Sequence, residues 1–275
     1  DILRTKHYSP RTEAAYSAWT LRFLAGTGAA NIAALGPANV TEFLTRLATD
    51  GAVSASTQNQ ALNAVVFFFR EVLGRDLGDL EGIVRAKRPV RLPVVLTPDE
   101  VSRILGAMSG TPRLMATLMY GTGLRLMECC RLRVKDVDFG QNEILIRAGK
   151  GDKDRHTMLP AAVVSPLQSH LEKVRLLHQD DLRQGLGSVA LPGAFGRKSP
   201  SAAKEWGGQW VFPASSHHVE RETGERRRHH LHETVLQRAF KEARHRAGVV
   251  KPAGCHTLRH SFATHLLQAG YDIRT

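Results

Sequence analysis

Cysteine is scarce in this chain of 275 residues: there are three, at positions 129, 130 and 255. Two neighbours and one distant residue make neither a disulfide framework nor a metal-ligand spacing, which points to a reducing compartment. Long apolar runs are missing as well. The longest, such as Ala64 to Phe69, fall far short of a bilayer span, and no charged-then-apolar leader opens the chain, so a membrane-spanning helix is excluded. Acidic charge is in deficit, with 26 Asp and Glu against 38 Lys and Arg, a net charge of +12. The sequence pI of about 10.1 lies in the range of nucleic-acid binders. The motifs of several enzyme classes are absent too. Gly121-Thr122-Gly123 has neither the third glycine and preceding strand of a dinucleotide fingerprint nor the lysine of a P-loop, and no HExxH or cysteine pair accompanies the histidines.

The basic excess is unevenly spread. Residues 1–93 carry 11 basic and 8 acidic side chains, net +3, whereas 226–275 carry 10 and 3, net +7. That second stretch contains Lys251-Pro252-Ala253-Gly254-Cys255 leading into His256-Thr257-Leu258-Arg259-His260. Positions three apart on a helix share a face, so a helix opening here projects His256 and Arg259 together from an end that attracts anions. A guanidinium adds a planar fork matched to phosphate oxygens. The plain alternative is a surface His and Arg on an amphipathic helix.

The first third of the chain reads as helices. Ser9-Pro10 supplies a cap and first residue for a helix with Tyr16, Trp19 and Phe23 on one stripe. Gly36-Pro37 opens a second, with Val40, Phe43, Leu44 and Leu47, and Ser54 a third, with Leu62, Val65, Val66 and Phe69. Nothing alternates like a strand, which predicts a small bundle with no chemistry of its own. Arg85 to Pro93 combines four basic residues and two prolines, an extended connector. A capping box at Thr97-Pro98-Asp99-Glu100 then begins a second domain.

In that domain an apolar helix from Leu114 to Tyr120 runs into Gly121-Thr122-Gly123-Leu124-Arg125, where two glycines allow a tight turn and a close approach and leave Arg125 at the start of the next helix. Ile144 and Ile146 alternate in a strand, Gly149-Lys150-Gly151-Asp152 makes a turn, and His156 to Pro160 leads back. Lys150 at the tip is solvent decoration or a mobile cation able to enter a cleft, with Lys153 as its competitor. A charged helix from about Ala161 to Gln184 ends at Gly185, and a long Gly-, Pro- and Ser-rich insertion follows over about 186–208. It contains Phe195, Arg197, Lys198, Lys204 and Trp206; rings interleaved with cations suit exposed bases, and loop filler is the alternative. A strand is predicted at Gln209 to Pro213. Arg226-Arg227-Arg228-His229-His230-Leu231-His232 then leads into a helix stopped near Gly248. Its clustered histidines invite a zinc reading, which the run of positive charge beside them disfavours.

Two arginines, a histidine and a lysine on separate elements of one basic domain make a metal-free site for a phosphodiester, because cations neutralise the charge that develops in phosphoryl transfer. The blocks Gly121 to Arg125, Gly149 to Lys153 and His256 to Thr264 resemble the signature blocks of tyrosine site-specific recombinases, and order, spacing and the preceding helical domain match over nearly the whole chain. The segment from Leu191-Pro192 through Lys204-Glu205-Trp206, then Trp210-Val211-Phe212 and Arg228-His229-His230, looks like the additional segment of integron integrases. The stretches His7 to Glu13 and Leu92 to Glu100 agree with that.

The resemblance implies a mainly α protein with a small antiparallel β-sheet. A helical, SAM-like core-binding domain (1–88) and a linker (89–93) precede an α+β catalytic domain (94–275), the two forming a C-shaped clamp on DNA. It implies that Arg125 and Arg259 clamp the scissile phosphate, that Lys150 is a general acid toward the leaving 5′ oxygen, and that His256 hydrogen-bonds the phosphate and assists proton transfer. Lys153, Arg197, Lys198, Lys204, Trp206, Arg228, His229 and His230 are the expected DNA contacts. No metal and no cofactor are required. The expected partners are duplex attachment sites, folded single-stranded sites with extrahelical bases, and further copies of the chain in a tetrameric synapse, all in the bacterial cytoplasm at the nucleoid. The family's nucleophilic tyrosine belongs beyond Arg259 in helices expected after Tyr271, and none of the four tyrosines, Tyr8, Tyr16, Tyr120 and Tyr271, takes its place. With Asp at position 1, the chain reads as a fragment cut at both ends. A DNA-binding module that keeps the clamp without chemistry is the rival; a type IB topoisomerase shares the clamp, but the insertion argues against it.

Overall fold

A computed structural model describes residues 1–28, 32–78, 92–147, 154–191, 200–220 and 223–271. The chain divides into two compact units, Asp1–Arg91 and Leu92–Thr275.

Among its described residues the regular elements of the first unit are all helical. A short turn, α1 (Ile2–Thr5), precedes α2 (Pro10–Thr27), α3 (Pro37–Thr49) and α4 (Ala55–Phe67). The expected caps are present: Ser9 Oγ accepts from the Thr12 N–H at 3.1 Å and Ser54 Oγ from that of Thr57 at 3.3 Å. Beyond α4 the chain continues as one wider π turn over Phe68–Val72, which the sequence did not foretell. Phe23 sits at the centre, edge-on to Phe43 and Phe69 with ring centroids 5.4 and 6.0 Å away, among Val40, Leu44, Leu62 and Val65. Of the α2 stripe only Phe23 is fully buried; Trp19 packs half-buried at the rim, and Tyr16 joins Tyr8 and Phe67 in a separate aromatic group.

The second unit begins with α5 (Pro98–Gly106), closed by the reciprocal capping box in which Glu100 N–H donates to Thr97 Oγ1 and Thr97 N–H to Glu100 Oε2. Then come α6 (Gly110–Thr122), α7 (Leu126–Cys130) and a three-stranded antiparallel sheet of β1 (Val137–Asp138), β2 (Glu143–Ile146) and β3 (Arg155–Met158). In the β2–β3 pair Ile144 faces Thr157 and Ile146 faces Arg155. The long helix α8 (Ala161–Arg183) follows, then a hairpin of β4 (Pro213–Val219) and β5 (Arg226–His230), and finally α9 (Glu233–Arg246) and α10 (Cys255–Gln268). One core runs through Leu96, Ile104, Met115, Met119, Leu124, Ile144, Val163, Leu167, Phe212, Phe240 and Leu258, with α6 contributing Met115, Ala116, Leu118 and Met119. No helix of the described residues is long and apolar enough to cross a membrane.

Two expectations need correction here. The strand predicted at Gln209–Pro213 starts only at Pro213; the preceding residues are held by Arg133, whose backbone forms a bridge to Trp210, and by the Val211 N–H donating to the Leu132 carbonyl at 2.8 Å. The basic run at 226–230, expected as a lead into the helix, is a strand. Its pairing with β4 escaped detection because neither strand alternates apolar and polar residues.

Candidate active site

The site is assembled from three elements: the turn after α6, the N-terminal turns of α10, and β3. The two glycines of the turn have separate reasons. Gly123 closes α6 with φ +65°, and a Cβ there would lie 2.7 Å from the Phe262 ring of α10; a Cβ on Gly121 would lie 2.5 Å from Pro160. The close approach expected of the glycines is therefore to α10 and to the residue preceding α8. It seats the turn directly on α10, and Arg259, on the exposed side of that contact, donates from Nη1 to the Gly123 carbonyl.

Arg125 lies two residues further on, at the cap of α7. Both its backbone N–H (2.8 Å) and its Nη1 (2.7 Å) donate to Glu128, the third residue of that helix. The same carboxylate accepts from Arg155 of β3, at 3.0 Å from Nη1 and 2.6 Å from Nη2. Burial alone would raise the Glu128 pKa, but hydrogen bonds from Arg155 and Arg125 outweigh it and bring it down to about 2. Burial, and then the positive charges of Arg125 and Arg155, lower the pKa of Arg259, with Glu128 opposing. The three guanidiniums thus share one neighbourhood around a single carboxylate. His256 stands exposed on the first turn of α10, three residues before Arg259, on the helix expected there. Forked donors from two elements, Arg125 before α7 and Arg259 on α10, are of the kind that match phosphate oxygens in pairs.

Glu128 and Arg155 escaped the reading of the sequence. A glutamate three residues after Arg125 is a cap-and-third-position signal that was open to notice; nothing local marks Arg155, which sits 27 residues from its partner. Lys150 and Lys153 lie outside the described residues, as do Arg197, Lys198 and the turn between β2 and β3.

The other expected contacts divide by burial. Lys204 is exposed, with Nζ 3.3 Å from the Gly185 carbonyl. Trp206 is half-buried against the core, its ring 6.0 Å from that of His178 and with the Arg175 guanidinium at 5.8 Å. His229 is exposed, its ring 4.0 Å from that of His230. Arg228 and His230 are buried, and the expectation of DNA contact is withdrawn for both. Arg228 donates to both oxygens of Asp181 at 2.7 Å and to the Ala214 carbonyl at 2.8 Å; burial drives the His230 pKa down to about 4. The insertion is also anchored where it is described. Arg133 donates to the carbonyls of Gly208 and Ala190 beneath the Trp210 ring, and Gln209 Nε2 lies 3.1–3.2 Å from the carbonyls of Gly187, Ala203 and Glu205. Among the described residues no three His, Cys, Asp or Glu side chains are grouped to hold a metal ion.

Known proteins agree with this architecture. Residues 94–275 match the phage integrase family, and residues 1–79 match the N-terminal SAM-like domain of phage integrases. An integrase/recombinase of Escherichia coli is 49% identical over 99% of this chain and 81% of its own length. Tyrosine recombinase XerA of Thermococcus onnurineus is 32% identical over 97% of this chain and 78% of its own. Among solved structures, a lambda integrase tetramer bound to a Holliday junction superposes with a TM-score of 0.62 at 17% identity, over 98% of this chain and 71% of that one, a likeness of fold. The chain belongs to the phage integrase family, the tyrosine recombinases, with a SAM-like N-terminal domain followed by a catalytic domain.

Proposed function

We propose that this chain is part of an integron integrase that cuts and rejoins DNA through a covalent 3′-phosphotyrosine to insert and excise gene cassettes. The observation that carries the chemical half of this reading is the convergence of Arg125 and Arg259 through the Gly123 carbonyl and Glu128. Two forked cations on one side of a phosphodiester neutralise charge as the pentacoordinate state forms. Lys150 is assigned as general acid to the 5′ oxygen and His256 as the proton-sharing partner of the phosphate; Lys153, Arg197, Lys198, Lys204, Trp206 and His229 are assigned to DNA. The integron assignment rests on the insertion, its Trp206 and the histidines of the β4–β5 hairpin, and takes folded single-stranded sites as well as duplex attachment sites as substrates. Assembly into a tetramer on DNA is proposed on the precedent of lambda integrase on its Holliday junction. Domain limits at 1–88, 89–93 and 94–275 are part of the same reading.

A second reading is that these 275 residues hold DNA without cutting it. Tyr120 favours it. The His265 Nε2–H donates to the Leu96 carbonyl (2.9 Å), so its Nδ1 accepts from the Tyr120 hydroxyl (2.8 Å), and burial raises the pKa of that phenol. Tyr8 and Tyr16 belong to the first unit's aromatic group. The test is denaturing-gel trapping on a labelled, nicked recombination site. This chain is expected to give no adduct and a chain extended at its C-terminus to give a 3′-phosphotyrosyl one, in chelator as well as without. An adduct on the 275 residues overturns the assignment of the nucleophile, and its loss in chelator overturns the metal-free mechanism.

A further inference from the structure

An ionised carboxylate at the floor of an anion site needs explaining. With a pKa near 2, Glu128 is negative at any neutral pH, and it faces Arg125, one of the two guanidiniums assigned to the phosphate. Left alone with Arg125 it would cancel that charge and compete with phosphate for the same N–H groups. Arg155 prevents this. Its two terminal nitrogens take both oxygens of the carboxylate, at 3.0 and 2.6 Å, while Arg125 keeps one of them at 2.7 Å. Three guanidiniums around one carboxylate leave the site at +2, the charge borne by Arg125 and Arg259 together.

We propose that Arg155 is a positioning residue of the clamp: by neutralising Glu128 from β3 it leaves the carboxylate free to orient Arg125 without quenching its charge. This rests on the proposed phosphate site. It also explains why a half-buried arginine opens β3.

The test is a titration of the 275-residue chain with inorganic phosphate, read from the arginine Nε–H nuclear magnetic resonance signals. In the unaltered chain the Arg125 and Arg259 signals are expected to shift and saturate. Arg155→Gln, which lowers the site to +1, should weaken phosphate about tenfold. Arg155→Gln combined with Glu128→Gln restores +2 and should return affinity to within about threefold of the unaltered chain, although it removes a second side chain. Arg155→Lys keeps the charge while losing the two-point grip and should stay within the same range, which keeps the question open to measurement if Arg155→Gln does not fold. A purely structural role predicts the opposite order, with the double variant worst. Phosphate binding unchanged in Arg155→Gln, no recovery in the double variant, or a tenfold loss in Arg155→Lys each overturns the role of Arg155. No response in the unaltered chain overturns the clamp itself.

Discussion

Two carboxylates of the second unit each grip guanidinium groups, and they differ in how completely they are answered. Asp181, on α8, and Arg228, on β5, are 5% and 8% exposed and meet one to one through two bonds of 2.7 Å, with His217 Nε2 3.3 Å away. Glu128 is 10% exposed, but its partners Arg125 and Arg155 are 33% and 31% exposed and outnumber it. The first arrangement is closed: charges cancel where water is excluded, and the hairpin is tied to α8. The second is over-supplied on purpose of geometry, with the surplus positive charge facing solvent. A matched buried pair serves the fold; the over-supplied one is the group proposed to meet an anion.

The comparison is broken most severely at the closed pair. Arg228→Ala should cost about 3–5 kcal/mol in urea denaturation, since it strands a buried carboxylate. Arg228→Met with Asp181→Leu should recover most of that; if it does not, the pair is more than a tie. Gly123→Ala comes next. It places a methyl against Phe262 at a φ of +65° and should cost about 1–3 kcal/mol, with weaker phosphate binding because the turn no longer seats on α10. A fully stable, fully phosphate-responsive Gly123→Ala would show that the seating is dispensable. Trp206→Ala should weaken binding to bulged hairpins by about 1–2 kcal/mol more than to duplex if its exposed face stacks on a base. Equal losses assign the ring to the core it already touches.

A further test is in acid. The folded-state pKa of Glu128 is depressed to about 2, so its contribution is fully present above the ordinary carboxylate pKa of 4.5 and is lost as pH falls through 2. Glu128→Gln should therefore differ most from the unaltered chain in stability above pH 5 and converge with it toward pH 2. A constant difference across that window would remove ionisation as the cause.

Local signals were the legible ones. The caps at Ser9, Ser54 and Thr97, the turn ending at Arg125 and the helix bearing His256 and Arg259 each announce themselves within a few residues. What stayed hidden is long-range charge pairing. Arg228 and Arg259 read alike as cations in a basic stretch; only the presence of Asp181, 47 positions upstream, makes one an internal tie, and only the Gly123 carbonyl, 136 positions upstream, places the other in the site. The β4–β5 hairpin was missed for a related reason. Its strands are specified by such ties and by ring contacts between histidines such as His218 and His229 rather than by alternating apolar residues.

The contact between Arg259 and Gly123 has a consequence in time. A ribosome adding roughly 5–20 residues per second needs roughly 7–27 seconds to cover the intervening 136 positions, so Arg125 is synthesised well before its companion exists. Throughout that interval the nascent polypeptide carries the first half of the proposed grip on phosphate and not the second. The contact that completes the proposed anion site therefore joins two residues made far apart in time.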